Sequence, residues 1–263
     1  MSNKIIIAIQ LCSFENYNII INSLLQYDTP NNLFLISVLN SLEKPKHIFT
    51  NQIITTHKNI GMDIGPFLLQ LMYIFDNNLH HEYTHIYKIH SKSNKKWLKE
   101  LLVNQPITDH ITCNNKWSMP LDHYNRSTII ELCSLLQIPN IYYDDLHDIV
   151  YDINNIDIDF YESYYNISVN KTYQFLALEY ILLHAKMNNH ALNQSQIKIQ
   201  NRKNIMFVAG TIFISSMEHM CNLFLNKDLH SIYCMLESGY VKNDRPTYVH
   251  ALERIISGHY NGL

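Results

Sequence analysis

Short apolar runs alternate with segments of helical periodicity along the first part of the chain. Residues 4–12, 32–39 and 51–57 are short runs rich in apolar and β-branched side chains, which is typical of strands buried on both faces of a parallel sheet. Between the first two runs, residues 15–27 carry apolar side chains at helical spacing. Strands that alternate with helices predict an α/β fold with a mostly parallel central sheet, flanked by helices and joined by right-handed crossovers.

A further helix and strand follow in the same alternating order. The pair Gly65–Pro66 marks a helix start, because proline is favoured at the first helical position. Residues 84–90 then alternate between polar and apolar types, which predicts a strand, and residues 94–102 predict the next helix. The helix after Pro66 carries an apolar stripe with i, i+3, i+4 spacing, formed by Phe67, Leu68, Leu71, Met72 and Phe75.

The rest of the chain is less regular. Residues 204–215 predict a buried strand that is interrupted at Ala209 and Gly210, and residues 140–165, rich in Asp and Tyr, predict a loop with an edge element. Further helices are predicted at 127–136, 171–187 and 247–257. Because no repeat or linker separates these segments, the sequence predicts a single domain over residues 1–263.

Composition narrows the class of protein. The chain is 47% hydrophobic and 16% charged, which indicates a folded globular protein. Its formal net charge of −3 gives no general attraction to nucleic acid. The five cysteines are scattered without a CxxC pair, which favours a reducing, cytoplasmic compartment. No segment reaches the roughly 18 apolar residues of a spanning helix, so we expect a soluble protein that could still associate peripherally with a membrane.

The segment HEYTH at residues 81–85 matches the HExxH pattern of zinc peptidases. That chemistry requires both histidines on one face of a helix, with the glutamate as general base. Here the segment runs directly into a predicted strand, where His81 and His85 would lie roughly 13 Å apart at about 3.3 Å per residue. A zinc hydrolase is therefore kept only as an alternative function.

Two other features suggest ligand chemistry. Asp144–Asp145 and the acidic segment 157–159 could supply oxygen ligands to a divalent cation, although a solvated acidic loop is the favoured interpretation. Gly61 and Gly65 flank Asp63 in a strand-to-helix turn, and the amides at a helix N-terminus favour an anion. These features predict a ligand at the carboxyl edge of the sheet.

Four segments share their order and motifs with one family. They are NIGMDIGPFLLQL (59–71), YKIHSKSNKKW (87–97), FVAGTIFIS (207–215) and HALERI (250–255). Their patterns are approximately N-x-G-x-D-I-x-P-F, a strand ending in H-[ST]-K-[KS], F-x-A-G-[ST]-x-F and H-x-x-E-R. Together they resemble the rhamnan synthesis protein F family of glycosyltransferases over most of the chain. The resemblance implies a GT-A-like fold and sugar transfer from a nucleotide-diphosphate donor to a saccharide hydroxyl, with rhamnose or a related deoxy-sugar as a candidate and inversion as the expected outcome.

The chain departs from the family pattern at two places. Gln10 and Cys12 stand where the family tends to carry histidines in its first strand, and residues 214–216 replace an aromatic residue and an arginine. Both departures bear on the choice of sugar or acceptor. The four motifs themselves are retained.

The resemblance also suggests how the donor would be held. Most GT-A enzymes bind the diphosphate with an Asp-x-Asp pair and Mn²⁺ or Mg²⁺ at the end of a central strand, and His90 and Lys92 stand roughly at that place here. Lysine and protonated histidine can neutralise a leaving phosphate directly. We therefore expect a metal-free diphosphate clamp of His90 and Lys92 with Lys88 beside them, while a divalent metal remains the alternative.

Further roles follow from the same resemblance. Asn59, Gly61 and Asp63 would contact the nucleoside or the sugar, with capping of the following helix as the alternative role of Asp63. Ala209, Gly210 and Thr211 would line the acceptor side. Glu253 is the candidate general base, Arg254 would orient it or pair with phosphate, and His250 would assist. A degenerate protein that binds a nucleotide sugar or glycan without catalysis is the alternative to an enzyme.

Overall fold

The computed structural model describes residues 4–103, 111–114, 116–120, 128, 131–132, 135–137, 204–208, 210–240 and 247–257. The predicted helix 171–187 and the predicted loop 140–165 lie outside these residues. Eight strands are described: β1 Ile5–Leu11, β2 Leu33–Leu39, β3 Gln52–His57, β4 His85–His90, β5 Ile111–Thr112, β6 Lys116–Pro120, β7 Asn204–Val208 and β8 Phe213–Ser216.

Six of the strands form a mixed, mostly parallel sheet in the order β3-β2-β1-β4-β8-β5. Strands β1 to β4 are parallel to one another, whereas β8 runs antiparallel to both β4 and β5. The chain first builds β2 and β3 on one side of β1 and then crosses to place β4 on the other side. Such a switch point leaves a crevice at the carboxyl ends of β1 and β4, where open α/β sheets bind their ligands.

Helices cover both faces of this sheet. The described helices are α1 Tyr17–Leu24, α2 Ile64–Asp76, α3 Lys95–Leu101, α4 Met217–Phe224, α5 Leu229–Met235 and α6 Tyr248–Ser257, with short 3₁₀ turns at Leu25–Tyr27 and Leu79–His81. Buried side chains of α2, α4, α5 and α6 pack with Ile6 and Ala8 of β1 on one face. Those of α1 and α3 pack with Ile7 and Ile9 on the other. The uninterrupted apolar run of β1 is therefore explained by burial on both sides.

The predicted strand 204–215 divides between two sheets. Its first half, β7, pairs with β6 in a separate two-stranded antiparallel sheet, and its second half, β8, joins the central sheet. Gly210 and Thr211 lie between them with φ of 78° and 53°. These positive angles turn the chain out of one sheet and into the other, so the predicted interruption is confirmed while the single strand is not.

Two other predictions can be compared with the described residues. Helix α2 begins at Ile64, so Pro66 occupies its third position and not its first. Residues 128, 131–132 and 135–136 are helical, in agreement with the helix predicted at 127–136. Among the described residues, no helix combines the length and apolar character needed to cross a membrane.

Candidate functional site

The carboxyl edge of the sheet, beside the switch point, holds a cluster of buried charged and polar side chains. Lys88 and His90 lie on the same face of β4, and Gln10 on β1 is paired in register with His90. Asp63 comes from the turn before α2, and Thr211 from the turn between β7 and β8. The fold therefore brings four distant segments of sequence to one place.

Asp63 is the centre of this cluster. Its Oδ2 lies 2.5 Å from the ammonium of Lys88 and 3.6 Å from Nε2 of His90, and it accepts a hydrogen bond from the hydroxyl of Thr211. Burial alone would raise the pKa of Asp63, but the neighbouring His90, Lys88 and Lys92 outweigh it and hold that pKa well below its ordinary value. Asp63 is therefore a carboxylate at neutral pH.

Lys88 is completely buried, and its ammonium is bound by three protein acceptors. Its ammonium donates to Asp63 Oδ2, to the carbonyl of Thr211 at 3.0 Å and to the hydroxyl of Thr211 at 3.1 Å. An ammonium has three donors, so these partners use all of them. Burial lowers the pKa of Lys88, and the carboxylate of Asp63 opposes that shift. Lys88 thus holds the turn of Thr211 against the turn of Asp63. The sequence predicts that Lys88 contacts the donor sugar, but such a contact would require Lys88 to give up one of its protein partners.

His90 differs from the sequence prediction in its charge. Its Nε2 lies 2.7 Å from the carbonyl oxygen of Gly210, which can only accept, so the N–H is on Nε2. Burial lowers the pKa of His90 to about 3, despite the opposing effect of Asp63. The side chain is therefore neutral at neutral pH, and the expected protonated imidazole does not fit this site.

Lys92 has an aromatic ring as its neighbour and, among the described residues, no carboxylate partner. Its Nζ lies over the ring of Trp97, 4.3 Å from the ring centroid, and no carboxylate of the described residues lies within salt-bridge distance. Burial lowers the pKa of Lys92, while the charges of Asp63 and Glu253 oppose the shift. The loop that carries Lys92 is held by Asn16, whose amide donates to the carbonyls of Lys92 and Ser93. Lys92 is thus the predicted clamp residue whose charge is best placed for a ligand.

Helix α6 places Glu253 near the same cluster. Only 18% of its side chain is exposed. Burial raises the pKa of Glu253 to about 7, Asp63 adds to the shift, and Arg254, Lys92 and Lys88 oppose it. These electrostatic neighbours connect the terminal helix to the end of β4, as the sequence motifs predict.

The two neighbours of Glu253 on α6 are buried and hydrogen-bonded. Arg254 Nη1 donates to the carbonyl of His250 at 2.6 Å and lies 3.9 Å from Glu253 Oε2. His250 Nδ1 lies 2.6 Å from the hydroxyl of Thr247, which also accepts from the His250 amide and so caps the helix. Burial and the nearby Arg254 lower the pKa of His250 to about 4. At neutral pH His250 is therefore neutral, and Arg254 carries the positive charge beside Glu253.

The alternative role of Asp63 as a helix cap is not observed. Asp63 occupies the N-cap position of α2, but its side chain accepts from none of the helix amides. The amides of Ile64 and Gly65 both donate to the carbonyl of Gly61 at 2.9 Å, and Pro66 has no N–H. The expectation of free amides for an anion at this helix is therefore wrong.

The predicted glycines of this turn serve packing. At Gly61, φ is +67°, and a Cβ would lie 2.4 Å from Leu236 Cδ1; at Gly65 a Cβ would lie 2.0 Å from the carbonyl oxygen of Ile60. Both positions exclude a side chain because neighbouring protein atoms fill the space. Asn59 is exposed, and its carbonyl accepts from the amide of Gly239. Of the predicted acceptor residues, Gly210 and Thr211 lie in the cluster, and Ala209 is outside the described residues.

A second polar row was not predicted from the sequence. His57 at the end of β3 has Nδ1 2.9 Å from Ser37 Oγ and Nε2 4.0 Å from Cys12 Sγ. Burial lowers the pKa of His57 to about 4, and local desolvation together with the charge of Asp63 raises the pKa of the Cys12 thiol. Both groups are neutral at neutral pH, so the row is a set of polar contacts between neighbouring strands and not an activated thiol. The sequence signal for it is a polar residue near the end of each strand: Cys12 follows β1, Ser37 lies two residues before the end of β2, and His57 ends β3.

The described residues do not fit a divalent metal at this edge. Asp63 Oδ2 is already paired with Lys88 and Thr211, and no group of three or more His, Cys, Asp or Glu side chains in the described ranges is arranged as a metal site. His85 begins β4, so HEYTH does not form the helix that a zinc peptidase requires. Asp144–Asp145 and residues 157–159 lie outside the described part of the chain.

A scan of protein-family models, a search of curated proteins and a search of solved structures found no match to this chain.

Proposed function

We propose that this chain is a glycosyltransferase with a GT-A-like fold that moves a sugar from a nucleotide-diphosphate donor to a saccharide hydroxyl. The four ordered motifs of the sequence support the family resemblance. A crevice at the carboxyl ends of parallel strands, at a switch point, is the place where an α/β sheet binds a ligand of this kind.

The observation that carries the proposal is the meeting of three cations and two carboxylates at this crevice. Lys88, Lys92 and Arg254 all act electrostatically on Glu253, and Asp63 lies among them. When both carboxylates are ionised, the group still has one excess positive charge in a chain of formal net charge −3. A local excess of positive charge suits a diphosphate.

Glu253 has the properties of a general base. Its pKa of about 7 lies near the working pH at which a base is most efficient. In the proposed reaction the acceptor oxygen forms a bond to the anomeric carbon while the bond from that carbon to the diphosphate oxygen breaks. The acceptor proton passes to the Glu253 carboxylate, and the electron pair leaves with the nucleoside diphosphate.

Lys92 is the residue proposed to neutralise the leaving diphosphate. Its ammonium rests on Trp97 without a carboxylate partner in the described part of the chain, whereas Lys88 is bound to Asp63 and His90 is neutral. When Lys92 moves from the Trp97 ring to a phosphate, it exchanges a cation–π contact for a charge-assisted hydrogen bond. The hydrogen bond is the stronger interaction. The clamp inferred from the sequence is thereby reduced to one cation, with Lys88 and His90 supporting it.

A thermal-shift panel tests donor binding. UDP-, dTDP- and GDP-sugars are each added with Mn²⁺ and with EDTA to the wild type, to Lys92→Ala and to the control Lys99→Ala, whose lysine is exposed on α3. A ligand at a hundred times its Kd stabilises by about 2.7 kcal/mol. Stabilisation by one nucleotide class, retained in EDTA and in Lys99→Ala but lost in Lys92→Ala, is expected. Stabilisation only with Mn²⁺ would contradict the metal-free clamp, and no stabilisation by any nucleotide sugar would contradict the function.

One observation favours a second candidate, a binding protein without catalysis. Asp63, Lys88, His90 and Thr211 satisfy one another through hydrogen bonds, so this part of the site is complete without a substrate. The two candidates differ in turnover. Release of free nucleoside diphosphate from a stabilising donor, dependent on Glu253, would identify the enzyme, and tight binding without release would identify the binding protein.

A further inference from the structure

Glu237 connects the two halves of the candidate site. It lies after α5, in a segment that touches both the turn before α2 and the start of α6. Its carbonyl oxygen accepts from the amide of Gly61 at 2.7 Å. Its carboxylate accepts from the amides of Tyr248 at 2.7 Å and Val249 at 3.2 Å. One residue therefore bonds to the turn of Asp63 and to the helix of Glu253.

The contact with the turn extends beyond a single hydrogen bond. Ser238 forms an isolated antiparallel bridge with Ile60, and the amide of Gly239 donates to the carbonyl of Asn59 at 2.9 Å. Leu236 is buried against Gly61, where it occupies the space of a Cβ. The segment 236–239 thus fixes the path of the chain two to four residues before Asp63.

The contact with α6 completes a helix N-terminus. The first amides of a helix have no partners within the helix. Glu237 accepts from the first two, and Thr247 Oγ1 accepts from the third, that of His250. A carboxylate at this end also interacts favourably with the helix dipole. Glu237 and Thr247 together therefore hold the first turn of α6, and Glu253 lies one to two turns further along the same helix.

We propose that Glu237 is a positioning residue, which sets the placement of Glu253 on α6 relative to Asp63 and the end of β4. This inference rests on the proposed function for its catalytic consequence, but the geometric link does not depend on it. Glu237 is bonded to Gly61 and to the first amides of α6. It would therefore act on the site through these two contacts, without touching a substrate. A displacement of about 1 Å in a catalytic group can lower turnover about a hundredfold.

The test compares Glu237→Ala and Glu237→Gln with Ser216→Ala. The departure from the family pattern at residues 214–216 suggested a role in the choice of acceptor, but the register of Ser216 with His85 places Ser216 at the amino edge of β4, away from the crevice. Ser216 caps α4, so Ser216→Ala removes a helix cap at the opposite edge of the sheet. The readout is the titration midpoint of Glu253, followed by ¹³C NMR in glutamate-labelled protein and assigned by its loss in Glu253→Gln. Among the described residues, Asp63, Arg254, Lys92 and Lys88 act on Glu253. Transfer assays across pH on the same variants give kcat and donor KM.

The midpoint of Glu253 is expected to fall towards the ordinary glutamate value in Glu237→Ala, because a loosened α6 admits water to a side chain that is mainly shifted by burial. Glu237→Gln, which keeps one acceptor, should show a smaller fall, and Ser216→Ala none. The kcat should fall about ten- to a hundredfold in Glu237→Ala with donor KM little changed. An unchanged midpoint in both Glu237 variants, or an equal change in Ser216→Ala, would overturn the positioning role. A shifted midpoint in a protein that transfers no sugar would support the link and reject the proposed function.

Discussion

The ammonium of Lys88 and the carboxylate of Asp63 lie 2.5 Å apart in the interior of the protein. The pair joins the central strand β4 to the turn before α2, and Thr211 from a third segment bonds to both partners. A buried pair of this kind contributes little net stability against an apolar replacement, but the loss of one partner leaves an uncompensated buried charge. The role of the pair here is to determine which segments of the chain meet at the crevice.

Replacing one residue of this pair should therefore lower the free energy of unfolding more, per substitution, than replacing both. We expect Lys88→Met and Asp63→Leu each to lower the free energy of unfolding by about 3–5 kcal/mol, and the double variant to lose less than the sum. Urea unfolding of the four proteins, analysed as a double-mutant cycle, measures the coupling between the two residues. Additive losses would show that the pair is not formed in solution.

Gly210 and Gly239 form a natural matched comparison. Both have φ of +78°, but a Cβ at Gly210 would lie 2.7 Å from Leu101 Cδ1, while nothing lies within 4 Å of one at Gly239. Alanine should cost about 1–3 kcal/mol of backbone strain at either position, and the clash adds to this cost only at Gly210.

Thermal unfolding of Gly210→Ala and Gly239→Ala separates the two contributions. We expect a lower midpoint for Gly210→Ala, together with a change in the fluorescence of Trp97, since its ring lies 3.2 Å from the same Cβ position. Equal midpoints for the two variants would contradict the close packing of the turn against α3.

Local patterns were sufficient to predict the parallel strands of the sheet. The apolar runs that become β1 and β2 are continuous because both faces of each strand are buried, so strand type and approximate ends follow from the sequence. Pro66 predicts a start of α2 that is two residues too late. The helix begins at Ile64, because the carbonyl of Gly61 accepts from the amides of Ile64 and Gly65. A hydrogen bond across a turn leaves little trace in hydrophobic periodicity.

The charges of the site were harder to predict than its residues. The motifs placed Asp63, His90 and Glu253 together, and the structure brings them into one electrostatic group. Their protonation depends on burial and on partners distant in sequence, such as the carbonyl of Gly210 for His90. The cap from Glu237 to α6 likewise joins residues that no capping-box spacing would connect. Tertiary contacts of this kind are absent from a one-dimensional pattern.

The buried neutral histidines predict a loss of stability in mild acid. The pKa of His57 is lowered to about 4 by burial, and that of His250 similarly, whereas an unfolded histidine titrates near 6.5. Between these values the unfolded chain binds more protons, so the free energy of unfolding must fall as the pH falls. Each such histidine contributes up to about 1.4 kcal/mol per pH unit.

Urea unfolding between pH 7 and pH 4 measures this slope. His57→Gln should have a shallower slope than the wild type, since one of the histidines that take up a proton on unfolding is removed. His47→Gln serves as the control because His47 is exposed. An unchanged slope in His57→Gln would indicate that this imidazole is already accessible to protons in the folded protein.

The pH dependence of turnover provides the sharpest test of Glu253. A general base must be ionised, so kcat should rise with pH through the pKa of about 7 that burial gives to Glu253. Glu253→Gln should lose about 10²- to 10⁴-fold in kcat while donor stabilisation in the thermal-shift panel is retained. The matched control Glu218→Gln changes an exposed glutamate of α4 and should keep both the rate and its pH profile. A Glu253→Gln variant that retains the wild-type rate and profile would assign the base to another residue, and a loss of both rate and donor stabilisation would assign Glu253 to donor binding instead.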